Sequence, residues 1–160
     1  MNYQESREMK SLVNFRKEDP FPERGEASVT FISDGSRFVL IKRNMRNDDP
    51  WSGQMALPGG YRKKGESSSE TARREAYEEV GIELKILYYM GLYDSKARNI
   101  EVKAFISEVP SSAEPIPGDE VSEAFWVPVQ SLVKTSDAYM YGQYRIWGMT
   151  YRILADILQH

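Results

Sequence analysis

Three glutamates, Glu75, Glu78 and Glu79, stand three and four positions apart just behind the glycine corner Leu57-Pro58-Gly59-Gly60. On a helix that spacing crowds their carboxylates onto one stripe, an arrangement that is repulsive without a cation. Hard divalent ions such as magnesium prefer carboxylate oxygen, keep several waters and bind phosphate oxygens at the same time. The chemistry implied is metal-assisted work on a phosphate. Arg74 lies beside the acids, and its fixed fork suits clamping a carboxylate so that helix and loop stay in register. Glu66, just ahead of the helix, reads equally as a direct participant or as an N-terminal acid favoured by the helix dipole.

The elements that position these residues are legible at their ends. Ser67 with Glu70 three residues on has the capping-box spacing, which predicts a helix over 68–80, and Gly81 supplies the stop. Ala72, Ala76 and Val80 give that helix a small-residue face for a sheet, with the glutamates turned elsewhere as an acidic outer face. Upstream, a strand at Met55–Leu57 ends where Pro58, Gly59 and Gly60 let the backbone turn. The bland alternative is a solvated helix whose carboxylates pair with Arg73 and Arg74. Such a helix has no need of a glycine corner at its start.

Strands and helices alternate along the rest of the chain. Ala27, Val29 and Phe31 alternate with polar residues, Asp34-Gly35 marks a turn, and Phe38–Ile41 is apolar, which together predict a hairpin. Leu84–Leu92 and Ile100–Ile106 each hold one parity and predict two further strands. Pro110, Pro115, Pro117 and Gly118 make a loop before a strand at Ala124–Val127 and a short helix near Val129–Val133. Trp147, Thr150, Tyr151, Leu154 and Leu158 form a stripe on a closing helix, widened by Ile153 and Ile157. Residues 1–24 are less periodic and read as an arm or short helix, and residues 25–160 as one domain. The pattern is that of an α/β (α+β) protein.

Composition narrows the function. At 160 residues and 41% hydrophobic, the chain suits a single domain with a substantial core. The net charge of −3, with only a short basic patch at Arg62-Lys63-Lys64, argues against binding a nucleic-acid duplex. No cysteine is present, which excludes disulfides, thiolate catalysis and cysteine-based zinc sites. The lone histidine, His160, is the last residue of the sequence and reads as solvated. Met1–Lys17 lacks a signal-peptide core and no run reaches transmembrane length, so a soluble, cytoplasmic protein without membrane contact is expected.

Gly60, Glu66, Arg74-Glu75-Ala76, Glu78-Glu79 and Gly81-Ile82 fit the Nudix box, G-x5-E-x7-R-E-U-x-E-E-x-G-U, without a gap. The chain therefore resembles the Nudix hydrolase family. That resemblance implies an α/β/α sandwich with a mixed, curved sheet and a magnesium- or manganese-dependent enzyme that hydrolyses phosphoanhydrides in small, nucleotide-type substrates. It also leaves a homodimer open. The expected metal ligands are Glu75, Glu78 and Glu79. The general base comes from the box or from a later loop, which leaves Glu78 and, among Asp119, Glu120 and Glu123, preferentially Glu120. A nucleotide sensor without activity is a third use of the fold, but it often accompanies a degraded box, and this box is intact.

Substrate choice lies outside the box. Leu40-Ile41-Lys42-Arg43, Gly53–Gly60 and the stretch Ile146-Trp147-Gly148-Met149-Thr150 with Arg152-Ile153-Leu154 resemble the flanking segments of the coenzyme A diphosphatase subgroup. Leu57 replaces that subgroup's usual phenylalanine, and the interval from Arg43 to Gly53 is one residue longer. Coenzyme A or an acyl-CoA is the expected substrate, with ADP-ribose, a dinucleotide or a nucleoside triphosphate as the alternative. Lys42, Arg43 and Arg46 are candidates to meet a nucleotide's extra phosphate and Trp51 to stack on adenine, and Gly59 and Gly60 are counted with them as substrate-binding residues.

Overall fold

The computed structural model describes residues 18–45, 53–96 and 98–158. In chain order the elements are β1 (Ala27–Ser33), β2 (Arg37–Arg43), β3 (Met55–Ala56), β4 (Gly59–Tyr61), α1 (Ser68–Val80), β5 (Tyr88–Ser95), β6 (Ile100–Glu108) and β7 (Val121–Pro128). A small group follows: β8 (Val133–Lys134), β9 (Tyr139–Tyr141), β10 (Tyr144–Ile146) and α2 (Gly148–Ile157).

Strand β1 is buried along its whole length because both of its faces are covered. Val29 and Phe31 join the core that includes Ile153, Leu154 and Ile157 of α2. Ile32, of opposite parity, joins the core that includes Ala76 and Val80 of α1. Each large apolar side chain so buried contributes about 1.5–3 kcal/mol, which makes the two cores the main reason the layers stay together. The sheet between the helices runs β3-β2-β1-β6-β5, with β4 on β1 and β7 on β2. β1 and β6 are parallel, from Ala27↔Val102 to Ser33↔Glu108, whereas β2–β7 and β5–β6 are antiparallel, so the sheet is mixed. Irregularities between Lys42 and Arg43 and between Tyr89 and Gly91 add local bend.

The ends of α1 follow the sequence expectation. Ser67 accepts from the Glu70 backbone while the Glu70 carboxylate accepts from the Ser67 N–H, and Gly81 closes the helix at φ 70° with its N–H on the Tyr77 carbonyl. The Asp34-Gly35 turn also forms as expected, with Asp34 Oδ1 accepting from Ser36 N and Arg37 N.

Several expectations are corrected. The predicted strand from Leu84 begins only at Tyr88. Leu84 is buried against the α1 side, but Ile86 is half exposed, so the single parity does not describe one ladder. The glycine corner is itself a strand, β4, whose Gly59 pairs with Val29. The expected helix near 129–133 is a single 3-10 turn, Val129–Ser131. The three-stranded sheet β8-β9-β10 was not anticipated, because strands of two and three residues carry too few alternations to register. On α2 the buried residues are Thr150, Ile153, Leu154 and Ile157, whereas Trp147 precedes the helix and is 47% exposed.

Residues 18–24 run through a bend and a short turn and are tied to β6 and the start of α1. Lys103, buried on β6, donates to both oxygens of Asp19 and to the Phe21 carbonyl, and Ser68 N donates to the Pro22 carbonyl at the start of α1. These contacts satisfy a buried ammonium that would otherwise be costly. Residues 1–17 lie outside the described residues, as do Arg46, Trp51 and His160. No described helix is long and apolar enough to cross a membrane.

Candidate active site

The site is built where β4 meets α1. A Cβ at Gly59 would lie 2.2 Å from the Ser28 carbonyl oxygen, and one at Gly60 would lie 2.5 Å from the Glu75 carboxyl. Only residues without side chains let this strand pass between β1 and the acids of the helix. The approach is completed by the Gly59 N–H, which donates to Glu79 Oε1 at 2.6 Å.

Glu79 is 4% exposed, which corrects the expectation of glutamates on an outer face only. Arg43 reaches it from the end of β2, donating from Nη1 to Glu79 Oε2 at 3.1 Å and from Nη2 to the Gly59 carbonyl at 2.9 Å. Burial pushes the Glu79 carboxyl up to about 7, although Arg43 and the Gly59 N–H both favour its charged form. Glu75 is also raised, first by burial, with the charge of Glu78 adding to the effect. Glu78 is the exposed member of the three, at 51% of its side chain.

Arg74 gathers the remaining acids. It grips Glu66 with two hydrogen bonds, at 2.7 and 3.0 Å, and its Nη1 donates to Glu75 Oε1 at 2.9 Å and Glu78 Oε2 at 3.1 Å. Nη2 also reaches the Tyr61 carbonyl, so one guanidinium ties β4, the following loop and α1 together. Glu66 accepts from Lys63 N and Thr71 Oγ1 as well, and these donors, Arg74 foremost, hold its carboxyl down to about 2.

Two arginines therefore relieve the crowding for which a divalent ion was expected. As the side chains stand, no three acids among the described residues form a ready cage for a metal. The donors nevertheless fit such an ion in kind. They are hard oxygens, and Glu75 and Glu79 sit where burial and neighbouring negative charge penalise their ionised forms, a penalty that a bound cation reverses.

The later loop reaches the same place by its backbone. Ile116 N donates to the Val80 carbonyl and Gly118 N to the Glu79 carbonyl, and a Cβ at Gly118 would lie 2.0 Å from the Glu78 carbonyl oxygen. Asn44 then holds the carbonyls of Asp119 and Glu120 through its side chain and its N–H respectively. Asp119 and Glu120 are thus fixed between the end of β2 and the last turn of α1. Glu123 faces another way: it accepts from the Tyr144 hydroxyl at 2.8 Å and pairs with Lys42 at 3.8 Å. Lys42 and Glu123 are not brought to the acids, whereas Arg43 is.

A cavity of about 380 Å³ opens along Gly59 and Gly60, with Arg43, Lys96, Arg152 and Trp147 among its lining residues. Lys96, Arg152 and Trp147 were not singled out from the sequence as site residues. Their convergence depends on how α2 folds back across the sheet, and no local spacing encodes it.

The NUDIX domain family model matches residues 22–145. The ADP-ribose pyrophosphatase of Methanocaldococcus jannaschii is 33% identical over 107 residues, covering 64% of this chain and 61% of that protein. The uncharacterized Nudix hydrolase YfcD of Escherichia coli strain K12 is 30% identical over 118 residues, covering 72% of this chain and 66% of that protein. The chain thus spans less than two thirds of the length of these curated relatives. A crystal structure of a MutT NUDIX hydrolase from Burkholderia pseudomallei shares the fold with a TM-score of 0.62 and 20% identity, over 84% of this chain and 98% of that one. With the family's domain model matched over residues 22–145, well over half of the sequence, this chain belongs to the Nudix family.

Proposed function

We propose that the chain hydrolyses the diphosphate linkage of a nucleoside diphosphate joined to a second moiety, with magnesium or manganese held by Glu75, Glu78 and Glu79. The observation that carries this reading is the position of Gly60. It lines the open cavity on one side and touches the Glu75 carboxylate on the other, so a ligand in the cavity has its phosphates beside the acids. When bound, the metal supplies a more acidic coordinated water and withdraws charge from phosphoryl oxygens.

The chain's own residues supply the rest. Glu79 is the buried ligand and Glu75 the half-buried one, whereas Glu78, paired with Arg74, is exposed toward solvent and substrate. Arg74 holds Glu66 and the loop after β4 in register with α1, a positioning role. Arg43 lines the cavity, and were Glu79 to hold the ion, the Arg43 guanidinium would be available to meet a phosphate bidentately. Glu120, whose backbone carbonyl accepts from Asn44 N in the loop beside the last turn of α1, is the first candidate to take a proton from the attacking water, with Glu78 as the other candidate base.

For the second moiety, coenzyme A or an acyl-CoA is the primary reading, supported by the segments Leu40–Arg43, Gly53–Gly60 and Ile146–Leu154. ADP-ribose is the second reading, favoured by the similarity to the M. jannaschii ADP-ribose pyrophosphatase. Mass spectrometry of products from coenzyme A, ADP-ribose, dinucleotides and nucleoside triphosphates, run with magnesium or manganese in ¹⁸O-labelled water, tests the proposal. The expected result is cleavage between the two phosphorus atoms with one labelled oxygen in a product. Absence of metal-dependent cleavage of every member of the panel overturns it.

A further inference from the structure

We propose that the cavity between β4 and the start of α2 receives the nucleobase of the substrate, with the Trp147 ring as its stacking surface. The inference rests on the reading of the chain as a hydrolase of nucleoside diphosphate derivatives and names the part of that substrate this pocket takes.

The volume of about 380 Å³ lies in the range of small-molecule sites. Val29 and Val102 contribute apolar wall from β1 and β6, and Trp147 and Met149 face them from the start of α2. Trp147 is an unusual residue to leave 47% exposed, because nearly half of its large surface gains nothing from the folded state there. Arg145 stands with its guanidinium carbon 5.7 Å from the ring centroid, which helps hold the indole in place. A fixed, half-exposed indole beside an apolar pocket is suited to a flat π-face, and stacking on it is tolerant of the base presented.

Charge fixes the orientation. Arg43, Lys96 and Arg152 line the cavity, and no acidic side chain does so among the described residues. An anion that carries an uncharged aromatic end therefore matches it. At Gly59 and Gly60 the cavity adjoins the acids, with the Glu75 carboxyl 2.5 Å from where a Gly60 Cβ would stand. A base laid against Trp147 thus sends its phosphates over the glycines toward α1. The aliphatic arm of a coenzyme A-type substrate would then extend away from the pocket.

Isothermal titration in metal-free buffer tests the assignment with two probes, AMP and ribose 5-phosphate, which share the sugar phosphate and differ in the base. AMP is expected to bind about tenfold or more tightly than ribose 5-phosphate. Trp147→Leu, which keeps apolar bulk without an aromatic face, is expected to weaken AMP by about tenfold while leaving ribose 5-phosphate unchanged, and Trp147→Phe to retain most of the AMP affinity. Equal binding of the two probes, no binding of AMP, or unchanged AMP affinity in Trp147→Leu overturns the proposal. Melting curves confirm that both variants are folded. Hydrolysis is followed separately with magnesium. Turnover with a KM unaltered by Trp147→Leu sinks the base pocket alone, whereas AMP binding that depends on Trp147 without hydrolysis of any diphosphate sinks the activity and leaves the pocket standing.

Discussion

Arg43 Nη1 lies 3.1 Å from Glu79 Oε2, so a cation from the end of β2 neutralises the most buried acid of α1. Removing the arginine leaves a carboxylate whose remaining donor among the described residues is the Gly59 N–H. Arg43→Ala is expected to destabilise the metal-free protein by about 1–3 kcal/mol in urea unfolding at pH 8. Glu79→Gln, which keeps an acceptor and removes the charge, is expected to cost less than Arg43→Ala. A larger loss in the glutamine variant would show that the ion pair is not what matters there.

Turnover should separate the acids from the scaffold. Glu78→Gln and Glu79→Gln are each expected to lower kcat by about 10²-fold or more with little loss of fold, because each removes a proposed metal ligand. Steady-state assays with magnesium, paired with circular dichroism, check this. Near-normal rates in both variants would remove α1 from the chemistry.

Glu79 sets a pH dependence with a definite sign. Its folded pKa, about 7, lies above the ordinary glutamate value, so in the absence of metal its contribution to stability is fully present below the unfolded pKa and is lost as pH rises through about 7. A metal binds the ionised form, which reverses the preference. The rise in Tm on adding manganese is therefore expected to be small at pH 5.5 and large at pH 8, with proton release measurable by calorimetry near neutrality. A thermal shift independent of pH across that interval would contradict the buried-acid account.

Glu66 has the opposite sign. Arg74, Lys63 and Thr71 hold its carboxyl down to about 2, so the stability it contributes is present above the ordinary glutamate range and is lost as pH falls toward about 2. Glu66→Gln is expected to flatten the acid limb of the stability profile below pH 5 and to lower Tm at pH 7. Chemical unfolding between pH 3 and 7 measures both, and a variant with an unchanged acid limb would assign that limb to other groups.

The interactions in sequence reach were the local ones. Ser67, Glu70 and Gly81 define both ends of α1 because capping is settled within a few residues of backbone, and the alternation in Ala27–Phe31 marks β1 because each side chain reports its own face. The box spacing likewise identified the family, since the same intervals recur whatever surrounds them. Tertiary structure alone decided that Glu79 turns inward to Arg43 while Glu78 stays exposed, that Gly59–Tyr61 becomes a strand, and that Trp147 leaves the helix stripe to line a cavity. Those outcomes depend on desolvation and on partners distant along the chain. A carboxylate's neighbours across a sheet determine its charge and direction, and no interval between residues on one helix contains that information.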